Sequence, residues 1–152
     1  MITPAKYSDL GTVRNITHNT VREIYVHYYP KGAVEFFLAH HNDAAICRDI
    51  AENCVYLCCN SENVPLGTVT LNGNEINRLF VLPQYQGLGF GSELMKFAES
   101  YIFQKYDTIS LSASLSAKSI YLKYGYTPVE FHTIKCADGD FLCYDIMTKH
   151  LD

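Results

Sequence analysis

Gly87, Gly89 and Gly91 stand at alternate positions, between an apolar run at residues 79–82 and an amphipathic stretch that follows. Glycines so placed let backbone N–H groups close around an anion at a helix N-terminus, where first-turn donors lack intrahelical partners. The helix dipole adds positive potential at the same point. The formal charge of −4 offers no general attraction for nucleic acid or an anionic membrane. An anion bound by this chain must therefore be held locally.

Several glycine-loop chemistries can be compared with the spacing. A dinucleotide site needs G-x-G-x-x-G tight against a strand. Here Ser92 takes the place of the third glycine, residues 83–86 separate strand from loop, and Asp107 precedes its strand. A triphosphate loop fails because no Gly-Lys-Ser/Thr closes it. A plain turn would need one glycine and not three.

The other reactive side chains form no comparable pattern. Cys47, Cys54, Cys58, Cys59, Cys136 and Cys143 contain no C-x-x-C pair and precede no paired-His knuckle. They are expected to be reduced, apolar fillers, with no metal site. His40-His41 reads as a solvated helix shoulder.

The elements that must position the loop follow from periodicity. Leu10, Val13, Thr17, Val21, Ile24 and Tyr28 mark one helix face. Pro30-Lys31-Gly32 breaks that helix, "AVEFFLAHH" begins a second, and Asn42-Asp43 caps a short third piece. "CVYLCC" is a compact β run, and the two strands of "LGTVTLNGNEINRLFVL" turn at Asn72-Gly73. After the glycines, Phe90, Leu94, Phe97, Ala98, Tyr101 and Ile102 keep helical spacing. "TISLSAS" alternates as a strand, "SAKSIYLKYGY" is a short helix stopped at Gly125, and two strands joined at Asp138-Gly139 complete the chain. With 152 residues, 48% of them apolar, this predicts a single α/β domain of α+β type over residues 1–152, with a mixed, mostly antiparallel sheet. No apolar run is long enough to span a membrane, and the start lacks a signal-peptide pattern, so a cytoplasmic location is expected.

With these elements in place, Gln84-Tyr85-Gln86-Gly87-Leu88-Gly89 resembles the Q/R-x-x-G-x-G/A loop of the GNAT superfamily, the acyl-CoA-dependent N-acyltransferases. "AKSIYLKYGY" is similar to a second family segment, A-x-x-x-Y-x-K-x-G-F, with Tyr126 in place of the usual Phe. The two motifs together, in order, span residues 66–126. Ser114 stands where many members carry Asn, at the contact to the pantetheine arm.

The resemblance implies acetyl-CoA as cofactor. Its pyrophosphate would rest on the backbone of Gln86, Gly87, Leu88, Gly89, Phe90, Gly91 and Ser92. Its pantetheine would pair along Leu79, Phe80 and Val81, whose N–H groups could also face the thioester oxygen. Tyr121 matches the tyrosine placed to protonate the departing thiolate. Glu75 corresponds to a glutamate used as base in part of the family, with His27 and His132 as rivals. The implied reaction is direct acetyl transfer to a primary amine through a tetrahedral intermediate.

The acceptor, a small molecule or a protein amine, would meet the first helices and last strands, which are rich in Tyr, Phe and His. Glu23, Glu35, Glu130 and Asp145 lie in or near those segments. Exposed strands near the C-terminus leave a homodimer open. A non-catalytic acyl-CoA-binding sensor or scaffold would keep the loop but need neither Tyr121 nor a base. A flavin- or nucleotide-dependent oxidoreductase is the more distant alternative.

Overall fold

The computed structural model describes residues 1–152. In chain order the elements are β1 (Ile2–Pro4), α1 (Leu10–Ile24), α2 (Lys31–His40), α3 (Asp43–Ala51), β2 (Val55–Cys59), β3 (Pro65–Asn72) and β4 (Glu75–Val81). They continue with α4 (Phe90–Ile102), β5 (Thr108–Ala113), α5 (Lys118–Lys123), β6 (Thr127–Lys135) and β7 (Phe141–His150). Short 3₁₀ turns at Tyr7–Asp9, Tyr25–His27 and Pro83–Tyr85 join them. The three-residue β1, paired with β2, is an addition to the elements expected from periodicity.

Apolar spacing explains the helices. In α1, Val13, Ile16, Thr17, Thr20 and Val21 are buried at three- and four-residue intervals. That helix ends at Ile24 and tightens into the 3₁₀ turn, so Tyr28 is exposed instead of continuing its buried face. Asn42 caps α3, its side chain accepting from the Ala45 N–H at 2.9 Å.

The seven strands run in the order β1-β2-β3-β4-β5-β7-β6, a mixed sheet in an α/β fold. Every neighbouring pair is antiparallel except β4 and β5. That parallel pair touches only at Glu75 with Ser110 and Ile76 with Leu111. Beyond those residues the two strands part, and the inner edge of β4 has no strand partner.

Helices cover both faces near the parting. Leu94 of α4 approaches Gly67, and Phe97 of α4 packs on Tyr56. The opposite face of β3 presents Thr70 toward Arg78 and the α3 residue Asp49. Strand alternation separates these two faces. The core therefore lies on both sides of β3 and β4, holding β4 firmly while leaving its edge open.

β4 also carries a bulge. Thr70 pairs with Asn77 and Thr68 with Phe80, so β4 supplies one extra residue across that interval. Arg78 absorbs it with φ of +47°, a conformation L side chains rarely adopt.

Candidate active site

The parted strands enclose a cleft of about 810 Å³. Leu79, Phe80 and Val81 line it from β4, and Ser112 and Ser114 line it at β5. Gln86, Gly87, Gly89, Gly91 and Ser92 form its floor at the start of α4, while Tyr121 and Tyr124 close it from α5. The residues predicted from the glycine loop, β4 and the α5 segment are thus gathered around one space.

The loop has the backbone of an anion cradle. Gly87 and Gly89 have φ of +77° and +95°. A Cβ built on either would meet nothing within 4 Å, so positive φ is what calls for glycine, and the space before them is open. Gly89 is the N-cap of α4 and supplies no side-chain cap. The first intrahelical bond runs from Glu93 N–H to the Gly89 carbonyl, so the N–H groups of Phe90, Gly91 and Ser92 precede it. Leu88 points its side chain to solvent, and Phe90 packs against the core, so each can serve the cradle only through its backbone. Gln86 Nε2 donates to the Val81 carbonyl at 2.9 Å, tying the loop to the end of β4. Thr20 Oγ1 shares its one proton between the Ile16 carbonyl at 2.8 Å and this carbonyl at 3.2 Å, which brings α1 against the end of β4.

Tyr121 is buried beside Tyr126, their ring centroids 5.8 Å apart. Burial pushes its hydroxyl well above the ordinary tyrosine range, with nearby Tyr25 adding to the shift. It holds its proton throughout the neutral range and so has that proton to donate. Ser114 is buried at the end of β5, its hydroxyl 2.8 Å from that of Ser116, and both line the cleft. Tyr25 faces the same pair, and burial raises its hydroxyl despite these hydrogen bonds.

The three candidate bases lie elsewhere. Glu75 is exposed and does not line the cleft, although its cross-strand partner Asn72 does. Facing residues of an antiparallel pair share a side of the sheet, so Glu75 lies on the Asn72 side, at the end where β4 and β5 are still paired. His27 is exposed on a 3₁₀ turn. His132 bonds Glu130 at 2.7 Å and stacks on Tyr144, standing outside the lining.

A buried polar group not foreseen from motifs sits on the same cleft. From the bulge, Arg78 Nε donates to His41 Nδ1 at 3.1 Å and Arg78 Nη1 to Thr70 Oγ1 at 3.1 Å. Its Nη2 forms a buried ion pair with Asp49. His41 is thus no solvated shoulder; only His40 is exposed. Desolvation, with Arg78 second, lowers the His41 pKa to about 3, so the ring is neutral. Because Nδ1 accepts from Arg78, the proton resides on Nε2.

The six cysteines are all free, but only Cys58 and Cys136 are buried; the others are half-exposed, which limits the apolar-filler reading to two of them.

A parted sheet with a backbone anion cradle on the floor of its cleft is the architecture of proteins that can hold an extended anionic ligand between two strands. The GNAT acetyltransferase domain model matches residues 24–139, and the chain belongs to that family. The family's donor is acetyl-CoA, and its activity is acyl transfer from CoA to an acceptor. The fold is similar to a GCN5-related N-acetyltransferase from Rhodopseudomonas palustris, with TM-score 0.89 and 22% identity over 99% of this chain and 95% of that one. It is also similar to PaiA N-acetyltransferase from Thermoplasma acidophilum in complex with coenzyme A, with TM-score 0.71 and 16% identity over 99% and 98% of the two chains. Ribosomal-protein-alanine N-acetyltransferase from Brucella melitensis gives TM-score 0.71 and 16% identity over 99% of each chain. A comparison with curated proteins gave no match. No helix is long and apolar enough to cross a membrane.

Proposed function

We propose that this chain is an N-acetyltransferase that moves an acetyl group from acetyl-CoA directly to a primary amine. The observation that carries the reading is the cleft between β4 and β5, with the glycine cradle on its floor and Tyr121 in its wall. Acetyl-CoA supplies an activated thioester carbonyl.

The chain's residues divide the remaining work. Backbone donors from Gly87 to Ser92 hold the pyrophosphate, aided by the positive end of α4, while the Gln86 N–H is taken by the Pro83 carbonyl at 3.2 Å. On the inner edge of β4, Leu79 and the Val81 N–H offer backbone groups to the pantetheine amides and the carbonyl oxygen, while the Phe80 backbone faces β3. Ser114 adds a hydroxyl at the end of β5.

Tyr121 offers its hydroxyl to the leaving sulfur. With ordinary values of ~10 for tyrosine and ~8.5 for a thiol, full proton transfer runs uphill by ~2 kcal/mol. Burial raises the tyrosine further, so Tyr121 works as a placed hydrogen-bond donor.

Glu75 takes the ammonium proton through water. Four residues separate it from Leu79, roughly 13 Å at about 3.3 Å per residue, beyond the reach of a glutamate side chain. Its exposed carboxylate beside the cleft-lining Asn72 suits the end of a water chain.

The experiment is the pH profile of CoA-thiol release with an amine panel, using wild type, Tyr121→Phe and Glu75→Gln. Tyr121→Phe is expected to lower kcat by ~10²-fold, the low end for a positioned proton donor, while acetyl-CoA affinity holds. Glu75→Gln should be slow near neutrality and recover toward the pKa of the amine. Wild-type kcat in Tyr121→Phe, with chemistry limiting, would remove it from the mechanism. A wild-type profile in Glu75→Gln would do the same for the carboxylate.

A further inference from the structure

The four acids in or near the acceptor-side segments all lie outside the cleft. Glu35 faces Lys31 on the surface of α2 at 3.8 Å, and Glu130 bonds His132. Asp145 is buried against Lys118 at 3.0 Å, and Glu23 is exposed on α1; none of the four lines the cleft. The one carboxylate that does line it is Asp49, already neutralised by Arg78.

Opposite the glycine cradle, α2 contributes Phe36, Phe37 and His40 to the cleft, and the β6–β7 hairpin contributes Ile134, Leu142 and Tyr144. These walls are apolar or aromatic. At the hairpin tip, Asp140 Oδ2 accepts from the Gly32 N–H at 3.1 Å, joining the tip to the start of α2. That contact ties together the two elements that carry these walls, and the cleft of about 810 Å³ must also take the donor, which leaves room for a compact acceptor.

We infer that the acceptor is a small primary monoamine with an apolar or aromatic body, held between α2 and the β6–β7 hairpin. The inference rests on the acyl-transfer reading above and adds the substrate class. Its physical basis is desolvation. The reacting ammonium loses its proton and its charge on the way to product, but a second ammonium would stay charged. It would enter a space whose one lining carboxylate, Asp49, is already paired with Arg78. An apolar body of the same size instead gains from leaving water.

The test compares hexylamine with cadaverine, which have the same heavy-atom length but end in a methyl or an ammonium, together with phenylethylamine. CoA-thiol release is measured with wild type, and products are verified by mass. Wild type should favour hexylamine and phenylethylamine over cadaverine by roughly tenfold or more in kcat/KM, the scale that one pocket group supplies. Phe36→Asp, which places a carboxylate on the α2 wall, should shift the ratio toward cadaverine. Should that variant not fold by circular dichroism, Tyr144→Asp makes the same change from β7.

Cadaverine equal to or better than hexylamine in wild type would overturn the inference while leaving acyl transfer standing. An unchanged ratio in a folded Asp variant would overturn the assignment of these walls to the acceptor. Absence of acetylation with every amine would defeat the acyl-transfer reading, and this inference with it.

Discussion

His41 and Arg78 show how one hydrogen bond fixes the chemistry of a side chain. The Arg78 Nε–H occupies His41 Nδ1, and the charges and rings facing His41 are Arg78, His40, His18 and Phe80, with Asp49 beyond the guanidinium. A histidine whose folded pKa is about 3, against the ordinary 6.5, binds a proton in the unfolded chain before the folded one. Its contribution to stability is complete above about pH 6.5 and is lost as pH falls toward about 3, with a slope of up to ~1.4 kcal/mol per pH unit. Urea melts between pH 7 and 4.5 should therefore show a steeper acid loss in wild type than in His41→Asn. Equal slopes would mean that His41 protonates as readily in the fold as in the unfolded chain. Local motifs made the two glycines of positive φ and Tyr121 legible from sequence. The Arg78 cluster was not, because its members lie 29 and 37 residues apart and meet only through the bulge in β4.

Among the elements, the departure of β5 from β4 after two residue pairs makes the cleft, and α2 with the β6–β7 hairpin walls the half that we propose holds the acceptor. The β3–β4 turn and the Asn42 cap were readable because each depends on a few adjacent residues with definite backbone preferences. The strand β1 was not, since three residues cannot display a period, and it exists through its pairing with β2. The parting of β4 and β5 was likewise invisible to periodicity, which marks strands but not their register. Asp140 links two of these elements by accepting from an N–H in the first turn of α2, which has no side-chain cap of its own. Asp140→Ala should cost about 1 kcal/mol, as lost N-terminal capping does, and lower Tm by ~2–4 °C. The acceptor KM should rise while acetyl-CoA affinity holds, because the hairpin tip is freed and the cradle is untouched. Acceptor and donor constants that both stay at wild-type values would show that this contact does not shape the acceptor half.

At the scale of the whole molecule, a chain of net charge −4 must bind a strongly anionic donor against its overall field. Only a concentrated local device can do that, and the uncapped start of α4 with its glycines is such a device. Its most direct test is calorimetric titration of acetyl-CoA into wild type and Gly89→Glu. The variant adds one L residue at φ of +95°, a strain of roughly 1–2 kcal/mol. Its Cβ meets nothing within 4 Å, so the domain should remain folded by circular dichroism. The new carboxylate would occupy the pyrophosphate's place and repel it. Wild type should bind acetyl-CoA, and the folded variant should lose about a hundredfold or more in affinity, equivalent to ~2.8 kcal/mol. Unchanged affinity in the folded variant would contradict the account, because the donor would then be held somewhere other than this cradle.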